Sequence, residues 1–442
     1  MLGFATENQS RTSELLRHDH KYIWHPYSVY PLVDQKVITR AQGCFVYDAQ
    51  GHQVLDATSS WWCNTVGHSH PRLVRALYDA ASTLDHVLFA PHTHPVAIDF
   101  ADALSQKLRG VPRLFFSDNG STAVEVALKL LLQYWQIQGK SRPSLACFEE
   151  AYHGDTFGAM AVSAVTPWTK PFQNHLFPSV RLPLPTISMC TECGCPCEQH
   201  AWEKLESILS QKASSIAGAL LEPRILGAAG MKMYGQRILE RLVGTLRKYD
   251  IPVVFDEVFT GFGRTGSWFC QNSLEQGADI VCLSKGITGG LLPMGVTAVA
   301  PFLFEPFAEG DGKTALWHGH TFTGNAITMA VAREHLRIME EENILDAIAK
   351  LEQIYANVHS RFEKWAFVKN TRFCGGVWAC DIPQWTPDQK RTLVSELWNE
   401  GIWVRPLHNT LYFMPPYTVP RERVETFFDK LDHLFQRAVG VP

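Results

Sequence analysis

Lys285 closes a short apolar run, Asp279-Ile280-Val281-Cys282-Leu283-Ser284-Lys285, and is followed by Gly286 and then Gly289-Gly290. A lysine at the tip of a buried strand is an uncommon placement, because the ammonium loses hydration there without gaining a partner. Desolvation lowers the pKa of an amine, and a neutral amine is a nucleophile that condenses with carbonyl groups. A second apolar run, Ile251 to Phe255, ends in Asp256-Glu257. An amine at one strand tip and a carboxylate at another form the pair that pyridoxal 5′-phosphate chemistry uses. The lysine carries the cofactor's aldehyde, and the aspartate keeps the pyridine nitrogen protonated so that the ring accepts electrons.

Asp118-Asn119-Gly120-Ser121-Thr122 precedes a clear helical pattern, Ala123 to Lys129. Such residues usually make an ordinary helix cap. Beside Lys285 and Asp256 they read as a phosphate cradle, because a helix N-terminus offers free N–H groups and a positive dipole end. Gly120 allows close approach, and Ser121 and Thr122 add hydroxyls. Tyr152, in Tyr152-His153-Gly154-Asp155-Thr156-Phe157-Gly158, offers a ring to stack on a flat cofactor, or is a core tyrosine in a loop. Thr260 to Gly266 reads as a glycine-rich surface turn, with Arg264 serving either a structural ion pair or a substrate carboxylate.

The elements that position these groups follow from five apolar runs: Arg113 to Phe116, Leu145 to Phe148, Ile216 to Leu221, Ile251 to Phe255 and Ile280 to Leu283. Apolar throughout, they suit a parallel sheet covered on both faces. Helical patterns between some of them, Val124 to Gln136 and Gln236 to Tyr249, predict a doubly wound α/β domain, in which ligands bind beyond the carboxyl ends of the strands. Those ends hold Gly120, Ser121, Glu222, Asp256 and Lys285. The chain has 442 residues, a net charge of −4 and 19% charged residues, which argues against a nucleic-acid partner. No apolar stretch approaches membrane-spanning length, the first twenty residues lack the apolar core of a secretory signal, and the 11 cysteines are odd in number, so a reducing cytoplasm is the expected setting.

The motifs Asp256-Glu257-Val258, Thr260 to Gly266, Leu283-Ser284-Lys285-Gly286 and His320-Thr321-Phe322-Thr323-Gly324-Asn325 together resemble the class III pyridoxal-phosphate-dependent aminotransferases of fold type I, over about Ile23 to Pro420. That resemblance implies a mostly parallel sheet with helices on both faces plus a smaller α+β domain. The expected division is a large domain over 71–333 and a small one built from 1–70 and 334–442, with a helical stretch over Ile338 to Lys364. Flanking motifs, Trp24-His25-Pro26-Tyr27, Ser59-Ser60-Trp61-Trp62, Tyr152 to Met160, Arg405-Pro406 and Tyr412 to Tyr417, resemble the branch that passes an amino group from S-adenosylmethionine to 8-amino-7-oxononanoate in biotin biosynthesis. A lysine donor, or an ω-amino acid:pyruvate aminotransferase, is the alternative.

Residue by residue, the resemblance implies that Lys285 attaches the cofactor and moves the proton, Asp256 faces the ring nitrogen, and Gly120 and Ser121 bind the phosphate with Thr321 from the second subunit of a homodimer. It implies that Tyr152 stacks on the ring, that Glu222 lies near the cofactor, that Tyr27, Trp61 and Tyr152 shape the substrate pocket, that Arg405 takes the substrate carboxylate, and that Arg264 stands at the periphery of the site. Tyr27 is also placed in the catalytic set. Three features depart from the family pattern. His320 stands where a proline usually precedes the threonine, Arg224 follows Glu222-Pro223, and Cys190-Thr191-Glu192-Cys193-Gly194-Cys195-Pro196-Cys197 is inserted. Four thiols this close suggest a zinc knuckle, but no distant Cys or His pair completes a familiar spacing, so a surface insertion without metal is expected. The pairs His68-Ser69-His70 and His92-Thr93-His94, each followed by proline, are expected to be turn and capping histidines.

Overall fold

The computed structural model describes residues 2–184, 196–309 and 312–438. The cysteine-rich segment at Cys190 to Cys197, with its expected lack of metal, falls outside them save for the backbone of Pro196 and Cys197. Its central layer is a seven-stranded sheet in the spatial order Arg113–Ser117, Gly295–Val299, Ile280–Leu283, Val253–Asp256, Ile216–Leu221, Ser144–Phe148, Val180–Leu182. Only Gly295–Val299 runs antiparallel to its neighbours. All five expected runs are strands. The two missed ones lack a sequence signal: Val180–Leu182 has three residues, and Gly295–Val299 opens on a glycine. That glycine is required, since a Cβ there would lie 2.2 Å from the Asn119 carbonyl oxygen.

Burial explains the unbroken apolar runs. Every residue of Ile216–Leu221, Val253–Asp256 and Ile280–Leu283 is buried, as expected of strands covered on both faces. Helix Gly120–Ile137 packs Val124, Ala127, Leu128 and Leu131 into that core. A second apolar core joins the two ends of the chain, with Leu55 beside Tyr355, Trp378, Phe413 and Phe428. There Ile402–Trp403 pairs in parallel with Gln53–Asp56, and Lys369–Cys374, Val377–Asp381 and Thr410–Phe413 form an antiparallel sheet.

One expected element is divided. The helical stretch over Ile338 to Lys364 is the end of helix Ala326–Glu341 and then helix Ile344–Glu363, parted at Asn343, whose φ is +52°. Asparagine tolerates the left-handed region, so the helix stops and restarts there without losing its apolar period. No helix of the described residues is long and apolar enough to cross a membrane.

Candidate active site

Strand register brings the chemical groups to one edge. Asp256 pairs with Cys282, three positions before Lys285, and Phe255 pairs with Leu221, one position before Glu222. Three adjacent strands therefore end in a carboxyl, a carboxyl and an amine. Lys285 has φ +41° and opens a single 3-10 turn, Lys285–Thr288, closed by Gly289. Its ammonium lies 4.8 Å from the Trp62 ring centroid and 5.7 Å from that of Phe259. Loss of solvent in this apolar corner lowers the amine's pKa, against the opposing pull of Asp256 and Glu222. The expected neutralisable amine is thus present.

Asp256 is held from two sides. His153 Nδ1 is 2.7 Å from Oδ2, and the Val258 N–H donates to Oδ1 at 3.1 Å. Glu222 accepts from the N–H of Tyr152 at 2.9 Å and of Gly227 at 3.1 Å. Burial pushes the Glu222 carboxyl up to about 7, so in this site Glu222 fastens the Tyr152 loop. Tyr152 is brought to the same edge, its phenol pushed up to about 12 by burial and then by Asp256 and Glu222.

The anion end is built by glycines. At Gly120 a Cβ would lie 2.7 Å from the Val258 side chain, so the helix start closes directly on the residue two past Asp256. At Gly154, φ +129°, a Cβ would lie 2.0 Å from the Ser121 hydroxyl oxygen. That hydroxyl carries no intramolecular hydrogen bond among the described residues. Thr122 is a correction to the expected cradle. It accepts from the Asn119 N–H at 2.9 Å and donates to the Asn119 carbonyl at 2.8 Å, completing a capping box, so its hydroxyl is spent on the helix end. Thr321 is exposed and makes no hydrogen bond to Gly120 or Ser121 within the chain. Its neighbour His320 pairs with Asp118 at 3.1 Å, giving the departure from proline a local partner.

The open side is aromatic. Tyr27 and Trp61 meet at 5.3 Å between ring centroids, and the Arg405 guanidinium lies 4.2 Å over Trp61 with no carboxylate partner among the described residues. Tyr27 and Tyr152 share Asp155, and their hydroxyls are 3.1 Å apart. Trp61 rides on an unusual backbone. Ser59, Ser60, Trp61 and Trp62 have φ of +49°, +44°, +67° and +75°, one turn of left-handed helix closed by Trp62 N–H to Thr58 O at 3.0 Å. For non-glycine residues this costs roughly 1–2 kcal/mol each. Such strain persists only where surrounding structure imposes it.

Of the two roles read for Arg264, the structural ion pair is not found among the described residues. Arg264 is 1% exposed, donates to the Trp62 carbonyl at 3.3 Å and lies 4.7 Å from the Tyr417 ring centroid, and its Nη1 has no hydrogen-bond partner among the described residues. The glycine-rich turn that carries it is buried from Thr260 to Arg264, not a surface turn, because Phe262 and Phe269 pack on it. Arg224, also unplaced by sequence, has φ +68° and donates to the Tyr234 carbonyl at 3.2 Å. His94 caps helix Pro95–Ser105, accepting from the Ala97 N–H at 3.1 Å, as expected. His153, Asp155 and Trp62 were missed as site residues. The first two lie inside the segment chosen for Tyr152, and Trp62 lies beside Trp61, so the signal was there but was read for one aromatic at a time.

The residues fit pyridoxal phosphate. A free Ser121 hydroxyl stands at a glycine-fenced helix start, a desolvated Lys285 amine suits an aldehyde, and a buried Asp256 suits a protonated ring nitrogen. Comparison with known proteins agrees. The chain matches the Aminotransferase class-III family over residues 30–435. It is 35% identical to the adenosylmethionine-8-amino-7-oxononanoate aminotransferase of Synechococcus elongatus, covering 94% of this chain and 99% of that one. It is 30% identical to the protein of the same name from Geobacter sulfurreducens, covering 97% and 99%. Among solved structures, the adenosylmethionine-8-amino-7-oxononanoate aminotransferase of Methanocaldococcus jannaschii superimposes with a TM-score of 0.89 at 28% identity, covering 96% and 99%. The omega transaminase of Pseudomonas jessenii does so with 0.88 at 26%, covering 96% and 99%. The strand-end chemistry and these likenesses agree: the chain belongs to the class-III aminotransferases, enzymes that work through pyridoxal phosphate.

Proposed function

We propose that this enzyme moves the amino group of S-adenosylmethionine to 8-amino-7-oxononanoate, giving 7,8-diaminononanoate in biotin synthesis. The observation that carries the reading is the Arg405 guanidinium, without an ion pair among the described residues, lying 4.2 Å over Trp61, with Tyr27 against the same ring. Aromatic walls suit a long aliphatic chain, and a guanidinium fork suits its terminal carboxylate. The same walls suit the sulfonium and adenine of the donor. The names of the relatives support this choice of substrates.

Pyridoxal phosphate, when bound, supplies an aldehyde that holds the amino group between the two half-reactions and a ring that accepts electrons. The rest of the work falls to side chains. Lys285 Nζ, desolvated beside Trp62, takes the proton from the donor carbon that bears nitrogen and returns it in the reverse sense to the acceptor. Asp256, fixed by His153 and the Val258 N–H, keeps the ring nitrogen charged. Gly120 and Ser121 take the phosphate, with Thr321 of a second subunit. Tyr152, anchored through Glu222, covers the ring, and Tyr27 and Asp155 complete the pocket mouth. Arg264 supports the turn that carries Trp62. In the first half-reaction the donor's C–N bond breaks and its carbon takes a carbonyl oxygen from water. In the second, the acceptor's keto carbon gains nitrogen and its oxygen leaves as water.

A homodimer belongs to the same reading, and the exposed Trp24, Val29, Trp317 and Phe322 offer apolar surface for it. So do the division into 71–333 and 1–70 with 334–442, and a cytoplasmic setting. The test mixes the purified holoenzyme separately with S-adenosylmethionine, lysine and alanine and follows the visible absorbance of the bound cofactor. Change with S-adenosylmethionine, reversed by 8-amino-7-oxononanoate, is expected. Change with lysine alone moves the donor, and change with alanine that the oxononanoate does not reverse overturns the substrate reading.

A further inference from the structure

Asp56 is 0% exposed and lies at the end of strand Gln53–Asp56. Its carboxylate is saturated. Oδ1 accepts from the Thr58 N–H at 3.1 Å and the Thr58 hydroxyl at 2.9 Å, and Oδ2 accepts from the Ser60 hydroxyl at 2.7 Å and pairs with His68 Nε2 at 2.9 Å. Thr58 precedes the left-handed turn and Ser60 is its second residue. A second tether runs from the Ser59 hydroxyl to the Met414 carbonyl at 2.7 Å. Asp56 also pairs with Trp403, two positions before Arg405, and the Ala57 N–H donates to the Trp403 carbonyl at 3.0 Å.

One buried residue thus stands at the root of two arms, tied to the first by its carboxylate and to the second by backbone strand pairing. One arm carries Trp61 over the pocket and Trp62 against Lys285, and the other carries Arg405. We infer that Asp56 is a positioning residue that holds the left-handed Ser59–Trp62 turn, and so sets the Trp61–Arg405 clamp and the apolar wall beside Lys285. A chain of left-handed non-glycine residues relaxes unless something fixes it. Asp56 supplies the fixing through Thr58 and Ser60, and His68 Nε2 closes the remaining side of the buried carboxylate at 2.9 Å. The inference deepens the proposed function and rests on it for the choice of acceptor.

The test compares the full-length holoenzymes Ser60→Ala, Ser60→Gly and Asp56→Asn with the unaltered protein. Ser60→Ala removes the tether and keeps the strain, whereas Ser60→Gly removes both, because glycine adopts φ +44° freely. Ser60→Ala is expected to raise the KM for 8-amino-7-oxononanoate about tenfold, the worth of one hydrogen bond to a charged group. It is also expected to shift the pH at which the cofactor's visible absorbance titrates. Ser60→Gly is expected to recover most of both changes, and Asp56→Asn to exceed Ser60→Ala. A KM and an absorbance titration that stay put while the melting temperature falls would show a purely structural network and overturn the inference. So would a Ser60→Gly no better than Ser60→Ala. If Asp56→Asn fails to fold, the Ser60 pair decides. If the unaltered enzyme ignores 8-amino-7-oxononanoate, the substrate reading falls, and the absorbance titration still judges Asp56.

Discussion

His153 Nδ1 lies 2.7 Å from Asp256 Oδ2, with the imidazole wholly out of solvent. Against an ionised carboxylate the nitrogen must be the donor. The His153 N–H is itself tied to the Ser163 hydroxyl at 2.8 Å, so the imidazole holds Asp256 from a fixed backbone. His153→Ala removes a hydrogen bond to a charged group, worth about 1.5–3 kcal/mol. A loss of kcat of roughly tenfold to hundredfold is expected, with weaker retention of the cofactor. Steady-state rates and dialysis against buffer without pyridoxal phosphate check it. An unchanged kcat would remove His153 from the machinery.

Arg405 lies over Trp61 and makes no ion pair among the described residues, so its guanidinium is open to an incoming carboxylate. Arg405→Ala is expected to raise the KM for 8-amino-7-oxononanoate by about ten- to a hundredfold, with kcat altered much less, because the lost contact is made equally in ground and transition states. An acceptor lacking the terminal carboxylate should show no such change. Kinetics with both acceptors decide.

Gly154→Ala places a methyl 2.0 Å from the Ser121 hydroxyl oxygen on a backbone of φ +129°. The clash and the strained φ act together, so Ser121 is driven off its position. The dissociation constant of pyridoxal phosphate is expected to rise about tenfold or more, measured by titrating the apoenzyme. Gly139→Ala, also at positive φ but with open space around it, controls for backbone strain alone.

The pH dependence of stability should carry the mark of two buried carboxyls. Burial raises Glu257 from 4.5 to about 7 and Glu222 likewise. In the window between those values the folded chain binds protons that the unfolded chain has released, so stability contributed by these groups is present below pH 4.5 and is lost as pH rises towards 7. Glu257→Gln takes one of the two groups out of the titration. Denaturant midpoints across that window should then fall less steeply with pH than in the unaltered protein; an identical slope would refute the assignment.

Much of the site was legible because strands buried on both faces must be apolar throughout, so the polar residue at each tip stands out. Glu222, Asp256 and Lys285 were found that way, and the structure places them on three adjacent strand ends. The short strand Gly295–Val299 escaped, since the glycine demanded by the Asn119 carbonyl erased its pattern. Thr122 was misread because hydroxyl residues at a helix start serve the cap and an anion equally well on paper.

By itself the sequence determined which polar groups end the buried strands, because periodicity and strand ends are local properties. Only the tertiary structure decided what those groups touch. His153 meets Asp256 across 103 positions of chain, and Trp62 meets Tyr412 across 350. The left-handed turn at Ser59–Trp62 is the plainest case. Serine and tryptophan have no local preference for positive φ, and the turn's long-range tie, the Ser59 hydroxyl to the Met414 carbonyl across 355 positions, exists only in the folded chain.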